Sequence, residues 1–158
     1  MGFHVGDKVI HWVHGLGEII YIDEKIICDR PTSCYVLRTP DLMIWIPIND
    51  MEQQSLRMPA LPEDFERLYA ILTSPGEELL ADRTLRKEQL LAKMKDGKLE
   101  SLCRVVRDLT DFKNRYKLND QEKSILERAT SSLLTEWSYS LGMSMSQAHQ
   151  EMTTLLSQ

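Results

Sequence analysis

Residues 5–17 read VGDKVIHWVHGLG and contain two turn signals around a short β-prone run. Gly6-Asp7 is typical of a turn, and residues 8–12 favour a strand. Residues 15–17, Gly-Leu-Gly, predict a second sharp turn, because glycine accepts positive φ without steric cost. Residues 18–23 (EIIYID) predict the next strand. Two short strands joined through glycines indicate the start of a small, strongly bent β-barrel.

The rest of the first 58 residues is also typical of β structure. We predict a loop over residues 28–33 and strands over residues 34–39 and 42–48. Pro47 cannot donate to a ladder, so it ends the last strand or lies at an edge. This pattern predicts an SH3- or Tudor-like barrel whose open edge strand can accept a partner's strand.

The sequence MPALP at residues 58–62 marks a boundary, because prolines interrupt regular structure. Beyond it we predict an all-α bundle of about five helices. The first three helices cover residues 63–72, 80–96 and 99–116. The fourth follows Asn119, which is capping-box-like with Glu122, and ends at Gly142, and the last begins at Ser144, which has the capping-box form with Gln147. The prediction is an α+β protein of two domains, residues 1–58 and 59–158.

Composition and cysteine content favour a cytoplasmic protein. None of the apolar runs approaches the roughly 20 residues of a membrane span. The N-terminus lacks the basic and then apolar pattern of a signal peptide. The three cysteines are odd in number and match no zinc spacing, which favours a reducing compartment.

The charge is distributed unevenly along the chain. The net charge is −5, yet residues 83–117 hold eleven Lys/Arg and five Asp/Glu, a local balance of +6. A basic window inside an acidic protein can bind phosphate groups locally. The same window also fits a solvated helical surface of mixed charge, and the sequence leaves both interpretations open.

The sequence holds no catalytic or cofactor motif. His4, His11 and His14 lie close together, but they lack the acidic or cysteine partners of a metal site and are expected at the barrel rim. The pairs Asp23-Glu24 and Glu77-Glu78 are expected to face water. No Ser–His–Asp arrangement, P-loop or GxGxxG is present. We expect neither an enzyme nor a bound cofactor or metal.

The three tryptophans divide into two groups. Trp137 lies on the apolar stripe of its helix and is expected in the core. Trp12 and Trp45 are either core residues or exposed anchors for a partner. Trp45 lies between Ile44 and Ile46, so alternation does not decide which face of the strand it occupies.

Short matches in both halves resemble the CarD/CdnL family of bacterial transcription regulators. They are Val5-Gly6-Asp7-Lys8-Val9, His14-Gly15, Tyr35-Val36-Leu37, Ile46-Pro47, Leu56-Arg57, Asp96-Gly97, Val105-Val106-Arg107-Asp108-Leu109 and Glu122-Lys123. The resemblance implies a barrel that binds the β subunit of RNA polymerase, a domain shared with transcription-repair coupling factors. It also implies a helical domain that contacts promoter DNA near the upstream edge of the bubble and changes open-complex stability.

The resemblance also implies site residues. Lys25 and Trp45 fall where the family contacts polymerase, and Ile46-Pro47 belongs to the same matched segment. The family carries a Trp at the start of the second helix, where this chain has Arg83. Arg86 matches a basic family position, Lys87 follows it, and Lys123 falls at a DNA-contacting position. These four cations are the predicted DNA contacts. An adaptor that binds polymerase without productive DNA contact is the alternative.

Overall fold

A computed structural model of the chain describes residues 2–48 and 56–158. The chain divides into two units, Met1–Pro59 and Ala60–Gln158, and each has its own hydrophobic core. Strands make up the first unit and helices the second, which confirms the predicted fold class. No helix in the part of the chain that the structure describes is long and apolar enough to cross a membrane.

The N-terminal unit is an antiparallel sheet. Its described strands are β1 (Lys8–His11), β2 (Gly15–Ile27), β3 (Arg30–Arg38), β4 (Met43–Pro47) and β5 (Leu56–Arg57). They are ordered β4-β3-β2-β1-β5, and a bulge between Ile19 and Tyr21 bends β2. The core lies on one face and contains Val9, Ile19, Tyr35, Leu37, Ile46 and Leu56.

The predicted loop over residues 28–33 is wrong. Strands β2 and β3 continue to a two-residue turn at Cys28 and Asp29, whose φ values are 52° and 63°. Left-handed φ at both central residues is what a type I′ hairpin turn requires. Pro31 and Ser33 therefore lie within β3, where they pair with Ile26 and Glu24.

The turn predicted over residues 15–17 lies earlier, at residues 12–14, and Gly15 already belongs to β2. Gly17 serves close packing instead. A Cβ at this position would lie 2.7 Å from Leu37 Cδ1 and 2.8 Å from the Arg38 carbonyl oxygen. Glycine is thus required where β2 passes closest to β3.

The C-terminal unit is a helical bundle. The helices within residues 60–158 are α1 (Phe65–Thr73), α2 (Arg83–Lys95), α3 (Leu99–Arg115), α4 (Asp120–Leu141) and α5 (Met145–Leu156). Capping boxes at Asn119–Glu122 and Ser144–Gln147 begin α4 and α5 as predicted. Trp137 is fully buried against Phe65, which confirms its predicted place in the core.

Candidate functional site

Trp45 stands on the face of the N-terminal sheet that points away from its core. The strand register sets Trp45 opposite Val36, and Val36 opposite Tyr21. Side chains alternate along a strand, so the neighbouring Ile46 points to the other face and into the core. Trp45 is half-buried, and Val36 beneath this face is fully buried. Trp45 is therefore a partly exposed aromatic on an outer surface.

Two charged residues of β2 hold the Trp45 ring. The indole N–H donates to Asp23 Oδ2 over 3.0 Å, and Lys25 Nζ lies 4.2 Å from the ring centroid. The hydrogen bond from Trp45, followed by one from the Glu24 backbone N–H, keeps the pKa of Asp23 below its ordinary value. We call Asp23, Lys25 and Trp45 the anchor cluster.

Asp23 is a site residue beyond those predicted, since it was expected to face water together with Glu24. The sequence pattern that indicates this cluster is the two-residue spacing of Asp23 and Lys25, which puts both side chains on one face of a strand. The structure brings the predicted residues Lys25 and Trp45 into contact, and Asp23 completes the cluster. The geometry thus identifies a positioned indole with a cation above it.

Ile46 and Pro47, the other two predicted polymerase contacts, lie in different surroundings from Lys25 and Trp45. The Ile46 side chain is buried in the core, and its polymerase contact remains a prediction. The Ile48 N–H donates to the Ser33 carbonyl, and ladder alternation directs the backbone of Ile46 toward β3 as well. The backbone N–H and C=O groups that β4 presents to the open edge of the sheet are therefore those of Trp45 and of every second residue from it. Pro47 is half-buried and offers that edge no N–H.

Strand β4 is the last strand on its side of the sheet among the described residues. An edge of this kind can pair with an added strand. The anchor cluster lies on the face next to that edge, because Trp45 itself belongs to β4. An open edge beside an aromatic surface can in general accept an extended segment of another protein.

The histidines at the start of the sheet organise a turn. His11 Nδ1 accepts hydrogen bonds from the backbone N–H groups of Val13 and His14, at 3.0 and 3.2 Å. Partial burial, with the adjacent His14, lowers the pKa of His11 to about 4. Within residues 2–48 and 56–158, no three His, Cys, Asp or Glu side chains are grouped to hold a metal.

The first turns of α2 and α4 meet at a shallow pocket in the helical unit. Its lining residues are Arg83, Thr84, Lys87, Asn119, Asp120 and Gln121. Arg83 is exposed, Lys87 is partly exposed, and Lys123 is exposed in the first turn of α4. Helix N-termini favour anions, although the side chains of Asp82 and Asn119 already accept hydrogen bonds from three of the N–H groups here. We call Arg83, Lys87 and Lys123 the cationic trio.

Arg86 does not belong to this exposed surface. It is 7% exposed, and its Nε donates to Glu122 while its Nη1 donates to the Leu80 and Ala81 carbonyls at 3.1 Å each. Its guanidinium also lies over the Phe112 ring at 4.9 Å. This interior position leaves little of the Arg86 side chain exposed, and its DNA contact remains a prediction. Arg86, Leu90 and Met94 follow helical spacing, and this pattern is the sequence signal for the burial of Arg86.

Several cations of the basic window, residues 83–117, form ion pairs with carboxylates of the same window. Arg107 is buried and donates to Asp108 at 2.9 Å, and Asp108 also pairs with Lys93 at 3.4 Å. Arg115 pairs with Asp111 on the surface. The local charge balance of +6 therefore does not form one continuous basic face. The exposed cations outside these ion pairs are the strongest candidates for binding phosphate.

The comparisons with known proteins agree with this two-unit arrangement. The family model described as CarD-like/TRCF RID domain matches residues 3–58, and the model described as CarD, C-terminal domain matches residues 67–153. The chain belongs to the CarD family. It is a family of transcription factors whose N-terminal domain is an RNA polymerase-interaction domain. The resemblance found in the sequence is thereby confirmed.

One curated relative matches both units of this CarD-family chain. It is the Bacillus subtilis (strain 168) protein named "Putative transcription factor YdeB". The two chains are 26% identical over 136 residues, which is 85% of this chain and 89% of the relative. The match therefore spans the sheet and the helical bundle together.

Proposed function

We propose that this protein is a transcription regulator that binds the β subunit of RNA polymerase through the β4 edge and the anchor cluster. The contact between Lys25 and Trp45 carries the proposal, because the two residues at polymerase-contacting family positions form one surface feature. Tryptophan is enriched among residues that dominate binding energy. The RNA polymerase-interaction domain model over residues 3–58 supports the same partner.

The second part of the proposal is that the helical unit touches the backbone of promoter DNA near the upstream edge of the bubble and alters open-complex stability. The cationic trio supports it, because its members lie within the first five residues of α2 or α4 and basic side chains hold phosphates. Contact of this kind is salt-dependent and independent of sequence. Tethering to polymerase supplies a high local concentration, so weak DNA affinity suffices in a chain of net charge −5.

Arg83 sets the expected character of that contact. It stands where the family carries a Trp, and an arginine reaches phosphates or stacks on a base but offers no broad apolar wedge. We therefore expect phosphate contact with weaker bubble stabilisation than a Trp-bearing relative gives. The protein would act in the cytoplasm, where bacterial polymerase meets promoters.

The first experiment measures binding of the full chain to the purified lobe of the polymerase β subunit. Trp45→Ala should weaken binding about tenfold, which corresponds to about 1.4 kcal/mol. Tyr139→Ala changes an exposed aromatic of the helical unit and serves as the control. Failure of the folded wild-type protein to bind would overturn the proposal.

The protein-only adaptor is the second candidate, favoured by the Arg83 substitution. A variant with Glu at all three positions of the cationic trio tests it in promoter complexes. The control has the same charge change at the exposed residues Lys95, Lys98 and Lys113. Regulation through DNA predicts altered complex lifetime only when the trio is changed. Equal lifetimes with wild type, with polymerase binding retained, would establish the adaptor.

A further inference from the structure

The buried ion pair between Arg86 and Glu122 joins the two helices that carry the cationic trio. In the sequence Arg86 lies between Arg83 and Lys87, and Glu122 immediately precedes Lys123. Side chains of the pair are 9% and 4% exposed. Every member of the cationic trio is thus within three residues of a buried partner that joins α2 to α4.

We infer that Arg86 is a positioning residue for DNA contact, acting through Glu122. The Arg86 Nη1 donates to the Leu80 and Ala81 carbonyls, which fixes the chain as it enters α2. Its Nε holds one oxygen of Glu122, and the other oxygen accepts the Asn119 N–H at 3.0 Å to cap α4. One guanidinium therefore fastens the starts of both helices.

The chemistry of the group explains why it positions two helices and does more than neutralise a charge. Guanidinium donors are coplanar and point in fixed directions, so they set rotation as well as distance. The Arg86 guanidinium carbon lies 4.9 Å from the centroid of the Phe112 ring, and this contact restrains the orientation of the guanidinium plane. The spacing between the α2 cations and Lys123 follows from this arrangement. The inference rests on the proposed DNA contact and adds the residue that sets its geometry.

Glu122→Gln separates this role from direct DNA binding, because the two roles predict opposite signs. A direct contact by Arg86 would be strengthened when its competing carboxylate is removed. A positioning role predicts the reverse, since the fork loses its charged partner while glutamine still serves the capping box. Glu127→Gln is the matched control, because Glu127 is exposed on α4 and its change in net charge is identical.

The readouts are promoter-complex lifetime and its salt dependence, measured with full-length protein below the unfolding transition of every variant. We expect Glu122→Gln to shorten the lifetime about threefold to tenfold. The slope of log lifetime against log salt should become less steep, by at most about 0.9 for each phosphate that the variant no longer neutralises. Loss of stability alone leaves that slope unchanged in folded protein. Glu127→Gln should match or slightly exceed wild type.

Arg86→Lys gives a second test, since lysine keeps the charge and loses the planar fork. A positioning role predicts that Arg86→Lys shortens the promoter-complex lifetime about as much as Glu122→Gln does. If Arg86 only contacted a phosphate, lysine would keep that contact and the lifetime would change little. The inference is overturned if Glu122→Gln equals or outlasts Glu127→Gln while wild type retains a salt-dependent contribution. If wild type itself adds no such contribution to polymerase–promoter complexes, the proposed DNA contact fails instead.

Discussion

The indole N–H of Trp45 donates to the carboxylate of Asp23 over 3.0 Å, across the intervening strand β3. This bond links the edge strand to β2 on the outer face of the sheet. The ring is therefore oriented before any partner arrives, and Lys25 lies over it at 4.2 Å. An anchor that is already ordered loses less conformational entropy on binding.

Trp45→Phe should raise the pKa of Asp23 toward its ordinary value, because the largest cause of the lowered pKa is the indole hydrogen bond. A carboxyl group with a lowered folded-state pKa stabilises the fold above its ordinary pKa, and that contribution is lost as pH falls through the lowered value. An NMR titration of the Asp23 carboxyl measures the change directly.

The control for that titration is Tyr21→Phe, which alters another exposed aromatic residue on the same sheet face. It should leave the Asp23 titration unchanged. An unaltered Asp23 pKa in Trp45→Phe would contradict the role assigned to the indole N–H.

The N-terminal unit should lose stability as pH falls from about 6.5 to about 4. Protonation of His11 Nδ1 removes the acceptor that Val13 and His14 use, and burial lowers the His11 pKa to about 4. At pH values between the folded and the ordinary pKa of His11, the unfolded chain binds more protons than the folded one. The contribution of neutral His11 to stability is therefore complete above pH 6.5 and declines below it. Because His11 is partly exposed, we expect a loss of about 1 kcal/mol.

Denaturant unfolding of wild type and His11→Asn over this pH range checks the prediction. Asparagine can place a carbonyl oxygen where Nδ1 lies and does not titrate, so its stability should depend less on pH. Identical pH dependence in the two proteins would exclude His11 as the titrating group.

Much of the fold could be predicted from local signals, since turns, caps and periodicity depend on adjacent residues. The capping boxes of α4 and α5 were identified in this way. The Cys28-Asp29 turn was not, because neither residue is glycine and both still adopt positive φ. Pairing of Pro31 and Ser33 with β2 then overrode their usual preference for loops.

The candidate site could be predicted only in part, because exposure depends on contacts between distant segments. Arg86 and Arg83 look alike as cations in one helix, yet only Arg86 meets a buried carboxylate 36 residues away. In the same way, alternation alone could not decide the face of Trp45. The contact with Asp23, 22 residues earlier, fixes its position.

Gly17→Ala should destabilise the N-terminal unit by about 1–3 kcal/mol, the usual cost of overpacking. The added methyl group would lie 2.8 Å from the Arg38 carbonyl oxygen, and backbone cannot move aside as a flexible side chain can. Gly15→Asn is the control, because nothing lies within 4 Å of a Cβ there and asparagine tolerates its φ of 77°. Denaturant unfolding should show the larger loss for Gly17→Ala; the reverse order would refute the close-packing explanation.

Arg86→Met should destabilise the helical unit by about 3–5 kcal/mol, because it leaves the buried Glu122 carboxylate without its cation. Adding Glu122→Gln removes that unpaired charge and keeps the capping box, so the double variant should be more stable than Arg86→Met alone. Unfolding followed by the circular dichroism of the helices gives the free energies for a double-mutant cycle. Additive effects would mean that Arg86 and Glu122 do not stabilise each other. Strong coupling would show that the two helix starts that carry the cationic trio are held as one unit.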